Sequence, residues 1–95
     1  MGTKEAYQEK IEAQIKEWTA KIKEYKAKAD KASADVKIQM YQRIDHLRAQ
    51  KEAAQQKLTE IKAANAESWE ALKAGTQKIM EAMKQTWEEM KSKYH

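Results

Sequence analysis

The sequence predicts an all-α protein, a long antiparallel helical hairpin or coiled coil, and three observations carry that prediction. The 95 residues include no Pro, no Cys, no Phe, two Gly and a single Val beside 16 Ala and abundant Lys, Glu and Gln, a composition that favours helix over sheet. Apolar residues recur at alternating steps of four and three, the spacing of one helix face. Charges are set for helix support: Glu12–Lys16, Glu17–Lys21, Glu24–Lys28 and Glu89–Lys93 are i,i+4 pairs with the acid first, the better orientation.

The first element is expected to run from about residue 3 to 63. Ile11, Ile15, Trp18, Ile22, Tyr25, Ala29, Ala32 and Val36 form a heptad seam. The spacing then slips to an eleven-residue repeat through Val36, Leu47, Leu58, Trp69 and Met80, which straightens a supercoil. Three ways of turning remain open: near residues 64–68, at Gly75-Thr76, or not at all. Asn65 is a good N-cap, and Glu67 in the first turn suits the helix dipole.

Register favours the first. In a hairpin turning near residue 65, facing positions add to about 130, as do Ile61 with Trp69, Leu58 with Leu72, Leu47 with Met83, Met40 with Met90 and Val36 with Tyr94. Ile44 with Trp87 misses by one, and Ala54 faces Thr76. The second helix is thus expected over about 67–94. Together these twelve large residues, Val36 through Tyr94, are the expected hairpin core.

Such a hairpin leaves residues 7–35 as an overhanging heptad segment of the single 1–95 domain. Ile11, Ile15, Trp18, Ile22, Tyr25, Ala29 and Ala32 would then be a self-association seam, because an exposed stripe of this kind invites a second copy. Only 23 apolar side chains are larger than Ala. That is a thin core for one copy, so a homodimer or higher homo-oligomer is the expected form.

Composition excludes several classes of function. The net charge of +4 and pI near 9.2 raise the question of nucleic acid. The two halves of the chain carry equal net charge, however, and only Arg43 and Arg48 among the basic residues are arginine, so no specific nucleic-acid site is expected. No apolar run approaches the ~20 residues of a membrane span, and no secretory h-region follows the start, so the expected setting is the cytoplasm. His46 has Gln42, Gln50, Arg43 and Ala49 as its helical neighbours, and His95 is terminal, so no metal site is expected. No nucleophile arrangement or glycine-rich phosphate loop occurs. The chain is expected to be no enzyme, to need no cofactor and to take no small-molecule substrate. Trp18, Trp69, Trp87 and the methionines at seam positions are expected to be core, although an amphipathic face with lysine flanks also suits a membrane surface.

One segment carries a resemblance. Ser68-Trp69-Glu70-Ala71-Leu72-Lys73-Ala74-Gly75, with Glu17-Trp18, Lys28-Ala29-Asp30-Lys31-Ala32 and Arg48-Ala49-Gln50-Lys51, resembles small bacterial coiled-coil-domain proteins linked to stress response. The specific part is Trp-x-x-Leu-Lys-x-Gly at residues 69–75; the rest, over about residues 9–90, is generic helix. The resemblance implies a helical, stress-associated protein and no enzyme activity or binding residues. Where that family carries Gly or Asp before the Trp, this chain has Asn65-Ala66-Glu67-Ser68. The expected function is therefore a non-enzymatic structural or interaction protein that self-associates. Its alternatives are a lipid-surface binder of apolipoprotein-like character and a loosely folded stress protectant, for which a mean hydropathy of −1.04 is suitable.

Overall fold

Helix propensity is spent on three elements rather than two. In the computed structural model, which describes residues 2–93 (backbone only at Lys93), α1 spans Thr3–Asp30, α2 spans Ala34–Ala63 and α3 spans Ser68–Lys93. The fold is all-α, and among the described residues there is no strand. The three helices lie side by side in a body 50 × 19 × 18 Å, whose long dimension is little more than the length of one helix of about 30 residues.

The second corner is the expected one. The Asn65 side-chain oxygen accepts hydrogen bonds from the backbone N–H groups of Glu67 at 3.1 Å and Ser68 at 2.8 Å, and Trp69 N–H donates to the Asn65 carbonyl. Asn65 thereby satisfies two of the donors that a helix start leaves unpaired. Gly75 lies inside α3, and the chain does not turn there.

The first corner is the correction. The single helix expected over 3–63 is interrupted at Lys31–Ser33, and the segment 7–35 is no overhang. α1 ends with the Lys31 N–H on the Lys28 carbonyl and the Ala32 N–H on the Ala29 carbonyl; Ser33 then takes an extended conformation and its carbonyl receives the Lys37 N–H at 2.8 Å. Ser33 makes no side-chain capping bond. What turns the chain is burial: folding back places Ile11, Ile15, Trp18, Ile22 and Ala29 in one cluster with Met40, Ile44, Leu47, Ala54, Leu58, Met83, Trp87 and Met90. Each large side chain so buried contributes roughly 1.5–3 kcal/mol, more than a few interrupted helical hydrogen bonds cost at about 0.5–1.5 kcal/mol each.

The expected core is met almost throughout. Met40, Ile44, Leu47, Leu58, Ile61, Trp69, Met83, Trp87 and Met90 are buried, while Val36 and Leu72 are half-buried and Tyr94 lies outside the described residues. Ala54 and Thr76, expected to face one another, are both fully buried, and the Thr76 hydroxyl donates to the Leu72 carbonyl. The Arg43–Glu89 ion pair at 3.0 Å, and the Lys57 side chain beside Gly75, tie α2 to α3. Thr86 is also buried, its hydroxyl donating to the Ala82 carbonyl in the manner of Thr76.

Polar contacts tie α1 to the far end of α2. Lys4 Nζ donates to the carbonyls of Ala64 at 2.6 Å and Lys62 at 3.3 Å, a cation at the negative end of the α2 dipole. Lys62 reaches back to Glu12 at 2.8 Å. That hydrogen bond and charge hold the Glu12 carboxyl below its ordinary value. At the first corner, the Tyr41 hydroxyl bonds to Asp30, lowering the Asp30 carboxyl and raising the Tyr41 phenol.

Candidate functional site

Because α1 and α3 both run antiparallel to α2, they run parallel to each other. Their aromatic contacts fix the register. Tyr7 meets Trp69 with ring centroids 6.1 Å apart, and Tyr25 meets Trp87 at 5.1 Å; in each pair the α3 residue is numbered 62 higher. Lys73 sits over both Tyr7 and Trp69 at 5.6 Å, and Lys21 lies 5.8 Å from the Trp87 ring, contacts of the cation–π kind. The Tyr7 hydroxyl donates to the Lys73 carbonyl at 3.4 Å. Burial raises the phenols of both Tyr7 and Tyr25, with the nearby Lys21 charge pulling Tyr25 back down.

Around the Tyr25–Trp87 contact the surfaces of α1 and α3 leave a groove of about 700 Å³. Its floor is Trp18 and Tyr25 from α1 with Met80 and Trp87 from α3. The α1 rim is Lys10, Gln14, Glu17, Lys21, Glu24 and Lys28; the α3 rim is Glu81, Lys84, Glu88 and Lys91. Among the described residues no ion pair spans the groove, and Glu17 pairs with Lys21 along its own helix at 3.1 Å. The site therefore combines an aromatic floor with rims carrying both signs of charge, which is equipment for binding another surface. Among the described residues no group of three or more His, Cys, Asp or Glu could hold a metal ion, and His46 is exposed.

The expected self-association seam is placed differently from its expectation. Ile11, Ile15, Trp18, Ile22 and Ala29 are buried within this chain, and Tyr25 and Ala32 are half-buried against the core. The stripe that was to await a second copy is occupied by α2 and α3. Of its residues only Trp18 and Tyr25 reach the groove, where they meet Met80 and Trp87. The rim residues were missed as a group. A signal for them exists, since Lys10, Gln14, Glu17, Lys21, Glu24 and Lys28 repeat at steps of four and three beside the apolar seam. They become a rim once α3 is known to stand beside α1.

No family model, no curated protein and no solved structure matches this chain. Among the described residues, no helix is long and apolar enough to cross a membrane.

Proposed function

We propose that this chain is a non-enzymatic helical interaction protein that self-associates, and that the α1–α3 groove is the surface through which it does so. The observation that carries the reading is the groove itself: Trp18, Tyr25, Met80 and Trp87 lie beneath an opening whose rims are charged but unbridged. Interfaces use this combination, with aromatic and methionine side chains for buried area and a polar rim for orientation. The stress-linked, cytoplasmic setting belongs to the same proposal and rests on the resemblance of the Trp69–Gly75 segment.

Light scattering and circular dichroism over a concentration series test the proposal. The expected result is full helicity with a mass that rises to a defined oligomer. A monomeric mass at every concentration would overturn self-association. The same series with anionic vesicles separates the lipid-surface reading: a blue shift of tryptophan emission with co-sedimentation would favour that reading instead. Low helicity in buffer would favour the protectant.

A further inference from the structure

The rim charges are ordered in bands. With α3 residues placed level with α1 residues 62 positions earlier, Glu81 stands level with Thr19 and Lys84 with Ile22, while Glu88 stands level with Lys26 and Lys91 with Ala29. Lys84 thus stands within one residue of the Lys21 level, while Glu81 stands midway between the levels of Glu17 and Lys21. Lys91 likewise stands within one residue of Lys28, and Glu88 midway between Glu24 and Lys28. Along each rim the sign therefore reverses about every 5 Å, half a heptad at 1.5 Å per residue, and the lysines of the two rims share levels. Among the described residues this groove has no ion pair from rim to rim, Glu17 pairing with Lys21 along α1 instead. It asks for an occupant with the same alternation in opposite phase.

The chain itself has that alternation. Resting on the self-association proposed above, we infer that two copies dock groove to groove, antiparallel, about a two-fold axis passing between the Lys21–Lys84 level and the Glu24–Glu88 level. Rotation about that axis sets the first acidic band of each copy against the last basic band of the other. It likewise sets each Lys21–Lys84 band against the other copy's Glu24–Glu88 band. All four levels meet their opposites, and the interface is isologous, so it closes at two copies. A parallel two-fold pairing would instead set α1 against the other copy's α3, with Lys21 against Lys84 and Lys28 against Lys91. A parallel pairing shifted by half a heptad would match charges but leave the same surface open at each end, which builds filaments rather than dimers.

The floor obeys the same register. Trp18 and Met80 stand at one level of the floor and the Tyr25–Trp87 ring pair at another, seven residues along. In the antiparallel dimer the other copy's Tyr25–Trp87 layer falls midway between these two. The layers therefore interleave every half heptad, as knobs enter holes in a coiled coil. Each rim pair is weak alone, so the bands act mainly on orientation and partner choice.

Two double variants test the register. Glu24→Lys with Glu88→Lys turns one acidic band basic; Lys21→Glu with Lys84→Glu turns the facing basic band acidic. Each variant alone should set like charges together at both central levels and raise the dimer Kd at least ten-fold. Mixed one to one, they should restore a mixed dimer, because every level then meets its opposite. Circular dichroism and thermal melting of each variant check that these rim changes leave the fold intact. Homodimers of undiminished affinity in both variants, or a mixture no tighter than its parts, would overturn the antiparallel register while leaving self-association standing. A native chain monomeric at every concentration would overturn both. Added salt should weaken the native dimer, and a salt-insensitive dimer would overturn the charge pairing.

Discussion

The two corners of this bundle look alike in outline and differ in what makes them. At Ala64–Glu67 the chain turns on local chemistry: Asn65 accepts two backbone hydrogen bonds through its side chain, and α3 starts from it. At Lys31–Ser33 no side chain caps α2; beyond the Tyr41–Asp30 hydrogen bond across it, the corner is held by what it brings together at a distance, from Trp18 in the core to Lys4 and Glu12 at the other end of α2. A locally encoded turn survives loss of distant packing. A turn imposed by packing does not.

The sharpest way to break that comparison is Trp18→Ala. Trp18 is 4% exposed in the cluster that holds α1, and its truncation should cost about 3–5 kcal/mol by denaturant unfolding. A loss under 1 kcal/mol would mean that α1 is not docked as described. Next come the caps themselves. Asn65→Ala should cost about 1 kcal/mol, whereas Ser33→Ala, which removes no capping bond, should cost no more than a few tenths. Equal losses measured by chemical denaturation would erase the contrast between the corners.

Gly75→Ala sharpens the comparison from within α3. A Cβ added there would stand 3.9 Å from Lys57 Cε, an ordinary contact, so replacing a mid-helix glycine should raise stability by about 0.5–1 kcal/mol. A fall in melting temperature would show the α2–α3 seam to be tighter than described. The smallest effect is on acid. Glu12 and Asp30 are both held below their ordinary values, by Lys62 and by Tyr41 respectively. Their contribution is present above the ordinary carboxylate range and is lost as pH falls through their depressed values. Glu12→Gln should therefore flatten the acid limb of the stability–pH curve near the α1–α2 contact; an unchanged limb would remove this pair from the account.

Legibility followed the same division. Asn65, the apolar seam and nine buried core residues could be read from residue type and spacing, because a cap and a helix face are properties of neighbouring residues. The first corner could not be read that way, since Ala29-Asp30-Lys31-Ala32-Ser33-Ala34 contains no Gly or Pro. Register arithmetic about residue 32 would have found it. Ala29 with Val36, Tyr25 with Met40, Trp18 with Leu47 and Ile11 with Ala54 all add to 65, a match as good as the one about residue 65. The seam residues pointed to a partner surface, and that surface was further along the same chain.

The groove needed one more step. Its α1 rim is a visible stripe of alternating charge, but a stripe becomes a rim only beside a second helix at a known height. Tyr7 against Trp69 and Tyr25 against Trp87 supply that height.

By itself the sequence determined an all-helical chain, the face each helix buries and a favoured corner at Asn65, because periodicity and capping act over one or two turns. Tertiary structure alone decided that α1 folds back at Lys31–Ser33 and that α1 and α3 stand parallel around an open groove. Both depend on burial between residues far apart in the chain, where a few lost helical hydrogen bonds are outweighed by large apolar side chains leaving water.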